Sequence, residues 1–491
     1  MSTTSLPAPA VDASPTQLLV AGEWREPRTP AAPLVVTNPA TGDVLAEVAD
    51  AAPEDAEDAL DAAATAFDSW SATAPRYRGE MLRAAYDLLM ARAGEFASVI
   101  TSEMGKPLPE SRAEVGYGGE FLRWYAEEAV RATGTTRIAP DGAAFHTTIR
   151  QPVGPSLLIT PWNFPLAMLT RKIAPALAAG CTVVVKPAEE TPLTALLFAD
   201  LLVEVGVPPG VVNVLTTSRP GQVVARILDD RRLRKLSFTG STEVGRRLLA
   251  ASANGVLKTS MELGGNAPFI VFSDADLGAA VDGAVVAKLR NGGQSCVAAN
   301  RFIVDRSVAD EFVAAFAERL RSQVVGPGAD PATTLGPMIN NKQRDRAAGL
   351  VQAAVADGAS PVLLDDPEPG TAFLRPVLLT DVPVASAVWQ EEIFAPVAPV
   401  HVVDSEEEAL RLASDTDAGL VGFAWSRDGA RLVRAAHGLE CGMVGLNRGL
   451  VSDASAPFGG TKHSGLGREG GDVGLHEYLE TKYISHPFPA T

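Results

Sequence analysis

The stretch 289–296, Leu-Arg-Asn-Gly-Gly-Gln-Ser-Cys, presents a thiol after a flexible polar run instead of inside an apolar strand. A thiol becomes a nucleophile when its surroundings favour thiolate and leave it reachable, and the glycines at 292 and 293 let the backbone approach a substrate closely. Cys296 is therefore the candidate nucleophile. The other two cysteines read differently: Cys181, before Thr-Val-Val-Val, and Cys441, before Gly-Met-Val-Gly-Leu, look like small hydrophobes at strand entries. A lone cysteine is more often structural than reactive, so the weight rests on what accompanies it.

Two companions stand out. Glu262 lies directly before Leu-Gly-Gly at the end of an apparent strand. It reads either as a solvated turn acid or as a carboxylate whose desolvation between Met261 and Leu263 raises its pKa toward the range useful to a general base. Asn163, in Pro-Trp-Asn-Phe-Pro, reads equally as a helix cap and as an amide donor to a developing oxyanion. Two near-signatures are set aside. Gly465-Leu-Gly-Arg-Glu-Gly470 follows Lys-His-Ser instead of a strand and is expected to be a loop far from the first sheet. Gly240-Ser-Thr-Glu-Val-Gly245 lacks the Lys and Ser/Thr of a triphosphate loop, yet could offer helix N-terminal amides to a pyrophosphate.

These residues need a scaffold, and the chain supplies an alternating one. Short apolar runs at 156–160, 182–186, 211–215 and 236–240 are separated by helical stretches, which implies a parallel, doubly wound α/β sheet with ligands at its carboxyl ends. Thr160, Lys186 and Gly240 fall at those ends. A second alternation runs through 267–272, 301–304, 397–403, 420–425 and 442–446, with a helix over 308–321. Before the first sheet, 53–67, 76–104 and 106–133 are expected helices, with Phe121, Trp124 and Tyr125 as core contacts. The polar–apolar segments 138–150 and 478–486 could pair as an exposed hairpin, whose open edge predicts an oligomer.

Composition narrows the rest. At 491 residues the chain holds two or three domains, and 46% hydrophobic with 21% charged residues describes a soluble globular protein. A net charge of −17 opposes general binding to nucleic acid or an anionic membrane, and the longest apolar run, broken by Pro175, Gly180 and Thr182, is too short to span one. Three irregularly spaced cysteines fit a reducing compartment, here expected to be the cytoplasm. Scattered histidines predict no metal site. The Pro/Ala/Ser/Thr-rich residues 1–17 are expected to form a disordered tail without the basic region of a targeting peptide.

Taken in order, Pro161-Trp-Asn-Phe-Pro165, Lys186-Pro-Ala-Glu189, Phe238-Thr-Gly-Ser241, Glu262-Leu-Gly-Gly265, Gly293-Gln-Ser-Cys296, Glu391-Glu-Ile-Phe394 and Pro457-Phe-Gly-Gly460 resemble the aldehyde dehydrogenase superfamily. The resemblance extends from about residue 18 to the C-terminus. It implies an α/β fold of two doubly wound domains plus a β-hairpin oligomerisation arm: a dinucleotide domain over 18–134 and 152–261, a catalytic domain over 262–469, and an arm from 135–151 and 470–491 in a homodimer or homotetramer. It implies that Cys296 is the nucleophile, Glu262 the base for the hydrolytic water, and Asn163 the oxyanion donor together with the Cys296 amide. For the cofactor it implies contacts from Thr160, Pro161, Trp162, Lys186, Glu189, Gly240, Ser241, Leu263, Glu392 and Phe394. Glu189 would accept from the ribose hydroxyls and repel a 2′-phosphate, which favours NAD over NADP.

Within that superfamily, 170–172, 269–272 and 290–296 resemble succinate-semialdehyde dehydrogenases. Arg171 and Arg290 would then clamp a distal carboxylate, with Ser452 as a third contact, unless either arginine is consumed by an internal ion pair. Glutarate semialdehyde or broad aliphatic aldehydes are alternative substrates, and a non-catalytic binding protein on the same fold is the alternative of another class. The sequence also departs from those relatives. Ala298 stands where several carry a second cysteine, Ile393 replaces a Thr, Ala395 a Gly, and Arg448 a smaller or acidic residue that could alter chain-length preference if it faces the pocket.

Overall fold

Five parallel strands, Val212–Val214, Val183–Lys186, Ser156–Ile159, Lys235–Thr239 and Lys258–Glu262, lie side by side in that order at the centre of an eight-stranded sheet in the computed structural model of the protein. The structure describes residues 14–365, 367 and 369–487. Val183–Lys186 and Ser156–Ile159 are apolar almost throughout because helices cover both faces. Lys235–Thr239 and Lys258–Glu262 instead bury polar side chains that bond one another, as Lys235 Nζ does Ser260 Oγ. Leu157, Val184 and Leu236 pack on one side, Leu158, Val183 and Val185 on the other. Leu18–Val20 extends the sheet antiparallel at one margin.

The opposite margin corrects an expectation. Gly465–Leu466, expected to be remote from this sheet, pairs antiparallel with Met261 and Glu262. It fits there only because residue 465 is glycine: an added Cβ would sit 1.9 Å from the Met261 carbonyl oxygen. The chain after the second sheet thereby returns to the strand that carries Glu262.

The second sheet has seven strands, six of them parallel, in the order Ser360–Leu363, Val377–Thr380, Val397–Val403, Ala299–Asp305, Ala267–Val271, Val421–Trp425 and Met443–Leu446. Phe269, Phe302 and Phe423 fill one face, Ile270, Ile303 and Ala424 the other. A third sheet stands apart: Ala144–Pro152 pairs along its whole length with Leu479–Pro487, and Thr136–Ile138 adds a third strand.

Two further differences have local causes. The helix expected over 76–104 is two, Pro75–Ala91 and Ala93–Met104, divided at Arg92, whose guanidinium bonds Glu95 and Glu204. The tail expected over 1–17 lies outside the described residues as far as 13, but Ser14 is buried and the Thr16 carbonyl accepts from Ala49 N. Among the described residues, no helix is long and apolar enough to cross a membrane, and no His, Cys, Asp or Glu cluster could hold a metal ion.

Candidate active site

The thiol is delivered by a backbone reversal. Helix Leu277–Leu289 ends at Arg290, and Asn291, Gly292 and Gly293 follow with φ of 55°, 64° and 74°. Asn and Gly are the residues that adopt this left-handed conformation at least strain. At 293 the requirement is also steric, since an added Cβ would lie 2.3 Å from the Ala395 carbonyl oxygen. Gln294 locks the turn, its side chain accepting from Ile339 N at 2.9 Å and donating to the Asn291 carbonyl at 3.2 Å.

Asn163 is tied to the same turn. Its Nδ2 donates to the Gln294 carbonyl at 3.0 Å, leaving its second hydrogen without an acceptor among the described residues. Its own carbonyl accepts from Asn291 Nδ2 at 2.9 Å and from the buried Lys106 Nζ at 2.7 Å. Lys106 in turn is paired with Glu114 Oε2 at 2.5 Å, while Glu114 Oε1 accepts from Leu166 N and Ala167 N at the start of the next helix. Glu110, one turn earlier on the same helix as Glu114, accepts from Asn291 N at 2.7 Å.

A cavity of about 420 Å³ opens between the sheets. Its walls include Cys296, Asn163, Pro161, Trp162, Gly240, Ser241, Leu263, Glu392 and Phe394, and also Arg171, Arg290 and Ser452. Trp162 and Phe394 meet edge to face at 5.5 Å. Ser241 caps helix Thr242–Gly255 through Val244 N. Gly265 N donates to Glu392 Oε1 at 3.0 Å, and burial pushes the Glu392 carboxyl up to about 7. Thr160, Lys186 and Glu189 do not line the cavity; Lys186 Nζ and Glu189 Oε1 pair at 2.9 Å beyond it, at the end of strand Val183–Lys186.

Two of the expected chemical groups need correction. The surroundings of Cys296 do not favour thiolate: burial first, then the Glu392 carboxylate, push the thiol up to about 12, against the opposing pull of Arg171. Glu262 is buried, which bears out the desolvated of its two expected readings, but it does not line the cavity that holds Cys296. Burial and then Glu469 hold its carboxyl well above the usual range, and neither oxygen has a hydrogen-bond partner among the described residues. One of them lies where a Cβ on Gly459 would be only 2.8 Å away. The turn after Glu262 nonetheless touches the nucleophile, because a Cβ on Gly265 would stand 2.4 Å from the Cys296 carbonyl oxygen.

The arginines differ. Arg171 is 1% exposed and stacks on Phe458 at 4.0 Å, with its Nη2 donating to the Tyr117 hydroxyl. Its Nη1 makes the internal ion pair weighed from the sequence, with Glu469 Oε2 at 3.7 Å, yet neither Nε nor Nη1 has a hydrogen-bond partner among the described residues. Arg290 stacks on Phe164 at 4.8 Å. Arg448 is exposed and is not part of the cavity wall, so the concern that it reshapes the pocket falls away. Sequence reasoning missed Lys106, Glu110, Glu114 and Tyr117. The spacing 110, 114, 117, 121 was the available signal, for it places two carboxylates and a phenol on the face of helix Leu108–Glu128 that also carries buried Phe121.

Residues 24–484 match the aldehyde dehydrogenase family. The chain belongs to this family. It is 54% identical to a succinate-semialdehyde dehydrogenase of Paenarthrobacter nicotinovorans, over 90% of this chain and 98% of that one. A crystal structure of an aldehyde dehydrogenase from Brucella melitensis superposes with a TM-score of 0.96 at 46% identity, covering all of both chains. A betaine aldehyde dehydrogenase from Staphylococcus aureus in complex with NAD+ superposes with a TM-score of 0.95 at 33% identity, covering 100% of this chain and 98% of that one. In an aldehyde dehydrogenase, a cavity that joins one thiol, a free amide N–H and two guanidinium groups can capture an aldehyde and stabilise the negative charge that results.

Proposed function

We propose that this aldehyde dehydrogenase oxidises succinate semialdehyde to succinate, with NAD preferred over NADP. The observation that carries the substrate is Arg171, a buried guanidinium in the wall of the Cys296 cavity. Its Nε and Nη1 lack hydrogen-bond partners among the described residues, and Glu469, 3.7 Å away, is shared with Lys172, so N–H groups remain for an anion. Relatives named for succinate semialdehyde point the same way.

The reaction follows from the residues. The Cys296 sulfur adds to the aldehyde carbon, and its proton passes to a base as the bond forms; Glu392 and Glu262, both made more basic by burial, are the carboxylates whose fields reach the sulfur. The free hydrogen of Asn163 Nδ2 and the Cys296 N–H hold the oxyanion. The nicotinamide cofactor, when bound, supplies the hydride acceptor that leaves the substrate as a thioester on Cys296. Glu262 then takes a proton from the water that cleaves this thioester, which requires its side chain to turn from behind the cavity wall. Acid departs and the thiol is restored.

The residues fit a dinucleotide. Gly240 and Ser241 bring the N-terminus of helix Thr242–Gly255 to the cavity wall, where its amides suit a pyrophosphate, and Pro161, Trp162, Leu263, Glu392 and Phe394 enclose the space between it and Cys296. Lys186 and Glu189, with Thr160, would hold the adenosine ribose beyond the rim, where the carboxylate disfavours a 2′-phosphate. On this reading 18–134 with 152–261 form the dinucleotide domain, 262–469 the catalytic domain, and the three-stranded arm joins copies in a homodimer or homotetramer, working in the cytoplasm. A steady-state panel of succinate semialdehyde, glutarate semialdehyde and butanal, each with NAD and NADP, tests this: equal kcat/KM for all three aldehydes would remove the carboxylate clamp, and preference for NADP would remove the role given to Glu189.

A further inference from the structure

Helix Leu108–Glu128 sends Tyr117 into the cavity wall between the two arginines. The guanidinium carbons of Arg171 and Arg290 each stand 5.6 Å from the centre of its ring. Two like charges brought close repel, and an aromatic face offers each a partner without adding a counter-charge that would compete with an anionic substrate. The Tyr117 hydroxyl accepts from Arg171 Nη2, so its lone pair is engaged while its own hydrogen has no acceptor among the described residues. Arg171 Nε and Nη1 also lack hydrogen-bond partners among the described residues, although Nη1 stands 3.7 Å from Glu469 Oε2. Guanidinium N–H groups and one phenolic O–H therefore share one end of the cavity with their hydrogens uncommitted.

We propose that Tyr117 is a specificity-determining residue that donates its phenolic hydrogen to the distal carboxylate of the substrate and fixes the separation of Arg171 and Arg290. This rests on the reading that the substrate carries such a carboxylate. A neutral aldehyde of equal length leaves the O–H and the guanidinium unpaired in a buried wall, and sites built to hydrogen-bond one substrate group discriminate strongly against analogues that lack it.

Tyr117→Phe keeps the ring under both arginines and removes only the hydroxyl. Succinate semialdehyde and butanal, which share a four-carbon chain, are compared on parent and variant by steady-state kinetics, and succinate binding is measured on both by calorimetry. The expected result is a KM for succinate semialdehyde raised about tenfold, succinate affinity lowered by a similar factor, and butanal turnover equal to or somewhat better than the parent's, since the unpaired O–H is gone. Equal changes for both aldehydes, or none, overturn the proposal while leaving the carboxylate reading intact. A parent enzyme that uses the two aldehydes with equal kcat/KM sinks that reading itself, and the role of Tyr117 with it, before any variant is made.

Discussion

Lys106 Nζ donates to the main-chain carbonyl oxygen of Asn163 across 2.7 Å, so the residue that would hold the oxyanion is itself held by a buried cation. Asn163→Ala should lower kcat by about 10²–10³, or about 2.7–4 kcal/mol, with cofactor affinity retained. Lys106→Met acts one step further back. It leaves Glu114 buried without its cation, which costs about 3–5 kcal/mol of stability, and lets Asn163 drift. The variant should melt earlier than the parent and lose kcat, and Lys106→Arg should recover part of both; a Lys106→Met enzyme with parental kcat would show that the Asn163 amide needs no such anchor.

The protonated state of Cys296 has a kinetic signature. With its thiol pushed up to about 12, the thiolate fraction near neutrality is roughly three orders of magnitude below that of a free cysteine. A raised thiol pKa means that reactivity grows with pH and does not level off until the folded value is passed. Iodoacetamide labelling of the cofactor-free enzyme should therefore be slow at pH 7 and climb about tenfold per pH unit through pH 9, with Cys296→Ala as the control. A plateau near pH 8 would contradict this.

Glu189 offers a test of cofactor choice. Its carboxylate, 2.9 Å from Lys186 Nζ, neutralises the cation that a 2′-phosphate would seek. Glu189→Gln should raise kcat/KM for NADP by about tenfold and change that for NAD by less. The ratio of the two, measured with one aldehyde, is the readout.

Gly293 is irreplaceable on geometry. Gly293→Ala would force a positive φ on alanine and press a methyl against the Ala395 carbonyl oxygen. Strain of this kind costs about 1–3 kcal/mol. The turn should shift, so activity should fall much more than thermal stability does.

Much of this was readable along the chain. The strands 267–271 and 421–425 announce themselves because parallel strands buried on both faces are apolar throughout, and the carboxyl ends of such strands fix where polar residues gather. Cys296 and Asn163 were findable as candidates because each breaks a local pattern, and Arg171 only through the family resemblance. Tyr117 and Lys106 were not, since a phenol or lysine on a mixed helix face looks like packing until the neighbour across the gap is known. The place of Glu262 behind Gly459, outside the cavity wall, was hidden for a related reason: it depends on residues about two hundred positions later, which return to pair with its strand.

On the proposed mechanism, the contact between Gly265 and the carbonyl of Cys296 would couple two halves of a catalytic cycle. The loop after Glu262, the acid proposed to activate water, and the loop bearing the sulfur touch at Gly265, where only a hydrogen atom fits. Bulk introduced there would disturb acyl formation and acyl release together, so a rapid-mixing trace would show a smaller burst as well as a slower steady rate, a double loss from one misplaced methyl.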